Sequence, residues 1–269
     1  MRSRTYPSDV SNEEWALVVP YLALLPLDAP QRKHDLRAAF NALRWMVRTG
    51  APWEYLPHDF PPPAVVREQA RRWIDRCCFE NLVHDLRELL RLNDERKAQP
   101  SATVIDSRFV PGSPESGHRT KYNGHKRQKG SKVHAVVDTL GQLLALTVTP
   151  ANVDDREPVL RLCERVREQT GERVRVMFAD QNYTGEEVLD DAEFQGIDLV
   201  VVNRPEGSRG FVLLPRRWVV ERSFAWATRF RRLVRDYERL PQVFAGLHWA
   251  VFGILMAAKL VQKLGSAPA

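Results

Sequence analysis

The chain has 269 residues, 43% hydrophobic and 28% charged, which describes a folded globular protein rather than a disordered, collagen-like or disulfide-stapled one. That length supports one large domain or two small ones with a substantial core. With 40 Lys plus Arg against 34 Asp plus Glu, the net charge of +6 favours a polyanionic partner, and arginine, the better fork for phosphate, carries most of the excess.

The opening segment MRSRTYPSDVSNEEW holds no apolar run of the signal-peptide kind. A first helix is expected over 11–25, where Ser11 followed by Glu14 is a capping-box pattern and Trp15, Val18, Val19 and Leu22 are the apolar set. A second, over 35–49, aligns Leu36, Phe40, Leu43 and Val47 and stops at Gly50. After a Pro-rich loop over 51–63, a third helix over 64–77 clusters Arg67, Arg71, Arg72 and Arg76. A fourth, over 79–92, turns Leu82, Leu86, Leu89 and Leu90 inward. Short helices joined by turns, one of them strongly basic, suit a helix-turn-helix type DNA-binding unit. They suit a helical cap with solvated arginines equally well. Cys77, Cys78 and Cys163 make no CxxC or zinc spacing and read as reduced thiols of a cytosolic protein.

A polar linker over 93–101 suggests a boundary between a helical domain, 1–97, and a second domain, 98–269. A strand follows over 102–110, then a loop over 111–130 rich in Gly, Pro, Lys, Arg and His. A hairpin pairs 133–138 with 143–149. Helices over 155–170 and 185–195 alternate with strands over 174–179 and 199–202. This order gives an α/β fold, a mixed sheet flanked by helices. A long arginine-rich helix is expected within 214–240, with Trp226, Phe230 and Leu233 as its apolar row. The apolar run 247–258 is too short for a bilayer span of about 20 residues and reads as a buried helix ended by Gly265.

Three acids stand out. Asp106 interrupts an apolar strand, where a lone carboxylate is costly unless paired or metal-bound. Asp180 ends the strand VRVMF, where α/β sheets place ligand-binding groups. Glu221 opens the arginine-rich helix. Together they can meet at one sheet edge, and oxygen ligands of this kind select Mg²⁺ or Mn²⁺ over zinc. Each also has a structural role open to it: Asp180 as cap of the turn at Gln181, Asp106 as partner of Arg108, Glu221 as a surface acid. Asp138, before a hairpin turn, and Asp155, before a helix, read as structural caps.

The segments RTGAPWEYLPHDFPP (48–62), VIDSRFV (104–110), KGSKVHAVVDTLGQLLALTVTPANVDDRE (129–157), FADQNYTG (178–185) and RRWVVERSFAWATRFRRLVRDYERL (216–240) resemble the DDE transposases of bacterial insertion sequences, in the family named after insertion sequence five. The resemblance spans most of the chain. It implies a ribonuclease-H-like core, Mg²⁺-dependent cutting and joining of DNA, and Asp106, Asp180 and Glu221 as the metal-binding triad. It also implies that terminal inverted repeats and target DNA are the partners, with a homodimer in the active complex and a place at the bacterial nucleoid. Arg217, four before the Glu, matches the family signature; the lysine usual seven after it is Thr228 here, with Arg229 adjacent. On this reading Arg217, Arg222, Arg229 and Arg232 contact phosphates beside the scissile bond. Lys126, Lys129 and Lys132, with Arg67 and Arg71, contact the DNA backbone. A DNA-binding relative without catalysis and a nuclease that cuts without joining are the alternatives.

Overall fold

In the computed structural model, residues 6–25, 33–202 and 218–265 are described. Four helices lead. Asn12–Leu22 (α1) starts at a complete capping box: the Ser11 hydroxyl accepts from Glu14 N and the Glu14 carboxylate accepts from Ser11 N. Glu14 also pairs with Arg44 at 3.1 Å, tying the cap to Leu36–Thr49 (α2), which is itself capped by Asp35 and ended by Gly50 in the left-handed region. Pro63–Asp75 (α3) and Cys78–Asn93 (α4) follow. Leu82, Leu86 and Leu90 of α4 are buried, but Leu89, expected inward, is 47% exposed. Adjacent leucines lie about 100° apart on a helix, so only one of the pair joins the stripe.

The sheet contains Ala102–Pro111 (β1), Lys121–Asn123 (β2), Gln128–Asp138 (β3), Leu143–Pro150 (β4), Val176–Ala179 (β5) and Asp198–Val201 (β6). Strand β1 is central: it pairs antiparallel with β3 and parallel with β5, and β6 extends β5 in parallel. Strands β2 and β4 both pair antiparallel with β3. Much of the loop expected over 111–130 is therefore built. Backbone pairing of β2 onto Gln128–Gly130 creates structure that side-chain patterning does not announce.

Alternation along the strands divides two cores. Val104, Val137 and Phe178 face one side with Trp218–Thr228 (α7), α4 and Pro241–Gly265 (α8). Ile105, Val136, Met177 and Ala179 face the other with Val159–Thr170 (α5) and Glu186–Phe194 (α6). Helix α8 is long and apolar enough to cross a membrane, yet 72% of its most apolar window is buried inside the protein, as a core helix requires. It lies against α4, α3 and β4, and at Gly246 it passes so close to Ile74 that a Cβ would sit 2.6 Å from that side chain.

The arginine-rich stretch is not one long helix. Helix α7 ends at Thr228, Phe230 is extended at φ −99° and ψ 106°, and a 3-10 turn over Arg231–Leu233 follows. Tertiary contacts make the break: Arg48 donates to the Arg229 carbonyl and stacks over Phe230 at 5.2 Å, while Phe230 and Leu233 enter the core. Buried charges pin the strap that follows. Arg232 pairs with Glu238 at 2.7 Å, and Asp236 accepts from Arg119 and from the Ser131 hydroxyl.

Candidate active site

Asp106 lies mid-way along β1, two residues past its last pair with β5, and Asp180 directly follows β5. The register Ala102↔Val176, Thr103↔Met177, Val104↔Phe178, continued beyond its last pair, brings Asp106 opposite Asp180. Neighbouring strands are about 5 Å apart. Both acids share the parity of Val104 and Phe178, which places them on the face that α7 covers. Asp106 is half-buried, and its Oδ1 accepts from Ser107 N at 2.7 Å. Asp180 also caps its turn, accepting from Asn182 N at 2.9 Å. Arg108 does not resolve the charge of Asp106: burial lowers its pKa, and its Nη1 has no partner among the described residues.

Glu221 is carried by α7, whose footing is the β3–β4 turn. The Ser223 hydroxyl donates to the Gly141 carbonyl at 2.8 Å and Arg222 Nη2 to the Leu140 carbonyl at 3.0 Å. Gly141 has φ +82°, and a Cβ there would meet Ser223 Oγ at 2.7 Å, so the turn demands glycine on both counts. Asp138, fully buried, holds the same turn by accepting from Leu140 N and Gln142 N, and it pairs with Arg91 of α4 at 2.7 Å. The structural role read for Asp138 is the one observed.

Asp155 is different. Pro158 occupies the N-cap position of α5, and Asp155 instead accepts from the Ser107 hydroxyl at 2.7 Å and pairs with Lys132 at 2.9 Å. The cap expected there is corrected: intervening residues place the helix start beyond its reach. Tyr183, 1% exposed, has its pKa raised by burial and then by Asp106, Asp155 and Asp180, so all three aspartates act on one phenol.

The proposed DNA-contacting cations are divided. Lys126, Lys129 and Arg229 are exposed. Arg67 and Arg71, also exposed, line a cleft of about 850 Å³ with Trp53, Tyr237 and Arg239, although Glu54, Glu68 and Glu238 lie there too and Arg71 pairs with Asp75. Three others are committed within the fold. Arg232 holds Glu238, Lys132 holds Asp155 and the Val153 carbonyl, and Arg222 is stacked on Trp218 and Trp226 at 4.4 and 4.8 Å. Arg217 lies outside the described residues.

The carboxylates Asp106 and Asp180 fit a hard divalent cation by donor type and by sharing one face. Among the described residues no three His, Cys, Asp or Glu side chains are already gathered as a metal cage.

An acid pair aligned across neighbouring parallel segments of β1 and β5, in a sheet of order β2/β4-β3-β1-β5-β6, defines a ribonuclease-H-like core. Residues 97–256 match the family model described as "Transposase DDE domain", and residues 10–83 match "Putative transposase of IS4/5 family". The chain belongs to the DDE transposases, a family that acts on insertion-sequence DNA and in general uses divalent metals. It is 36% identical over 146 residues, 52% of this chain and 67% of the relative, to a Burkholderia cepacia protein described as "Putative transposase for insertion sequence element IS402".

Proposed function

We propose that the chain cuts DNA at the ends of an insertion sequence and joins the freed end to target DNA, with Asp106, Asp180 and Glu221 holding Mg²⁺ or Mn²⁺. The observation that carries this is the register that aligns Asp106 with Asp180 on neighbouring parallel segments, in a sheet on whose strands β1 and β3 the helix bearing Glu221 packs. Bound there, the ions would activate the attacking oxygen and stabilise the leaving one. Water attacks the phosphorus at the element's end and releases a 3′-hydroxyl; that hydroxyl then attacks a target phosphodiester and displaces its 3′-oxygen. The protein's part is positioning and charge complementarity. Asp106 and Asp180 are fixed by bonds from nearby backbone N–H groups, and Ser223 and Arg222 anchor α7 to the β3–β4 turn. Residues 1–97 serve in this reading as the DNA-holding part and 98–269 as the catalytic part. Two copies act together, because two ends are mobilised.

Incubated with duplexes ending in the element's terminal repeats, the chain is expected to nick and then join strands in Mg²⁺, and to do neither in EDTA. Cutting without joining identifies a nuclease. Specific binding that persists in EDTA, with no nicking in any metal, identifies a non-catalytic DNA binder.

The exposed Lys126 and Lys129 carry the sequence-independent part of binding. Each replaced by Ala should weaken binding about equally on all sequences and reduce the slope of log K against log salt by about 1. Salt titrations that leave the slope unchanged for the double variant remove these lysines from the interface.

A further inference from the structure

Ser107 links two acids. Its backbone N–H donates to Asp106 Oδ1 at 2.7 Å and its hydroxyl donates to Asp155 Oδ1 at 2.7 Å. Lys132 Nζ, 2.9 Å from the same Asp155 oxygen and anchored by the Val153 carbonyl at 2.8 Å, supplies the counter-charge. Tyr183, 1% exposed, is buried in the core on the α5 and α6 side of the sheet. Its hydroxyl meets no partner in hydrogen-bond geometry, although Ser107 is adjacent, and Asp106, Asp155 and Asp180 all act on it.

We propose that Asp155 is a positioning residue of the active site: through Ser107 it fixes the segment of β1 that carries Asp106, and its charge adds to the field in which Asp106 and Asp180 receive a divalent cation. This rests on the reading of Asp106 and Asp180 as metal-binding acids. Groups that orient a ligand from one bond away are worth about 10–100-fold in metal affinity, so Asp155→Asn should weaken binding by that factor. Asparagine keeps the shape and an acceptor for Ser107 but loses the charge.

The test is calorimetric titration of Mn²⁺ into the full chain without DNA, with thermal unfolding of each variant in EDTA. Wild type, Asp155→Asn, Ser107→Ala, Asp106→Asn and Asp180→Asn are compared. Weakened Mn²⁺ binding in both Asp155→Asn and Ser107→Ala, with Asp106→Asn and Asp180→Asn losing it, supports the proposal. A purely structural Asp155–Lys132 pair would lower the unfolding temperature and leave the Mn²⁺ affinity untouched, which overturns it. Should Asp155→Asn fail to fold, Ser107→Ala reads the same link and decides alone. Unchanged Mn²⁺ affinity in Asp106→Asn and Asp180→Asn, or no binding by wild type, sinks the metal-site reading itself and this proposal with it.

Discussion

Asp180→Asn should abolish strand cleavage, by about 10³-fold or more in rate, while DNA affinity stays within about threefold. A thousandfold loss corresponds to about 4 kcal/mol of transition-state stabilisation. The substitution is chosen because Asp180 holds two positions at once, turn cap and candidate ligand. Its Oδ1 accepts from Asn182 N, and the asparagine oxygen can accept the same bond. A residue that only caps the turn would therefore tolerate asparagine, whereas one that holds a cation through its charge would not. Asp106→Asn has the same logic at Ser107 N, and Glu221→Gln tests the helix arm. Cleavage assays with all three, at matched DNA occupancy, separate the roles; wild-type rates in Asp180→Asn would leave that residue with the cap alone.

Asp138→Ala should be the most damaging substitution for stability, about 3–5 kcal/mol. It strands the Arg91 guanidinium, whose side chain is 6% exposed, without its carboxylate, and it frees two backbone N–H groups of the turn. At this chain length each kcal/mol moves the midpoint by about 2–4 °C, so thermal unfolding should fall by about 10 °C. A fall below about 2 °C would show that the pair contributes little. Because the same turn carries Ser223 and Arg222 of α7, cleavage should also drop in the folded fraction.

Local chemistry made the helix starts legible. Ser11 with Glu14 and Asp35 before Leu36 announce caps that depend only on neighbours three residues away, and Gly50 announces an end. The sheet face was legible from alternation, which is why Asp106 and Asp180 stood out among apolar neighbours. What stayed hidden depends on distant partners. The break after Thr228 requires Arg48 from α2, the burial of Arg232 requires Glu238 across a turn, and Asp155 finds Ser107 from 48 positions away. Leu89 misled because pattern alone does not say which of two adjacent leucines a neighbour will cover.

Helix α8 comes last in the described chain, yet the helices at the front and the sheet in the middle both lean on it. Its side chains fill the largest core from within, so the nascent fold stays unfinished until this helix emerges. An early stop codon ahead of residue 241 would thus silence the whole product rather than release a DNA-binding fragment able to compete with intact copies.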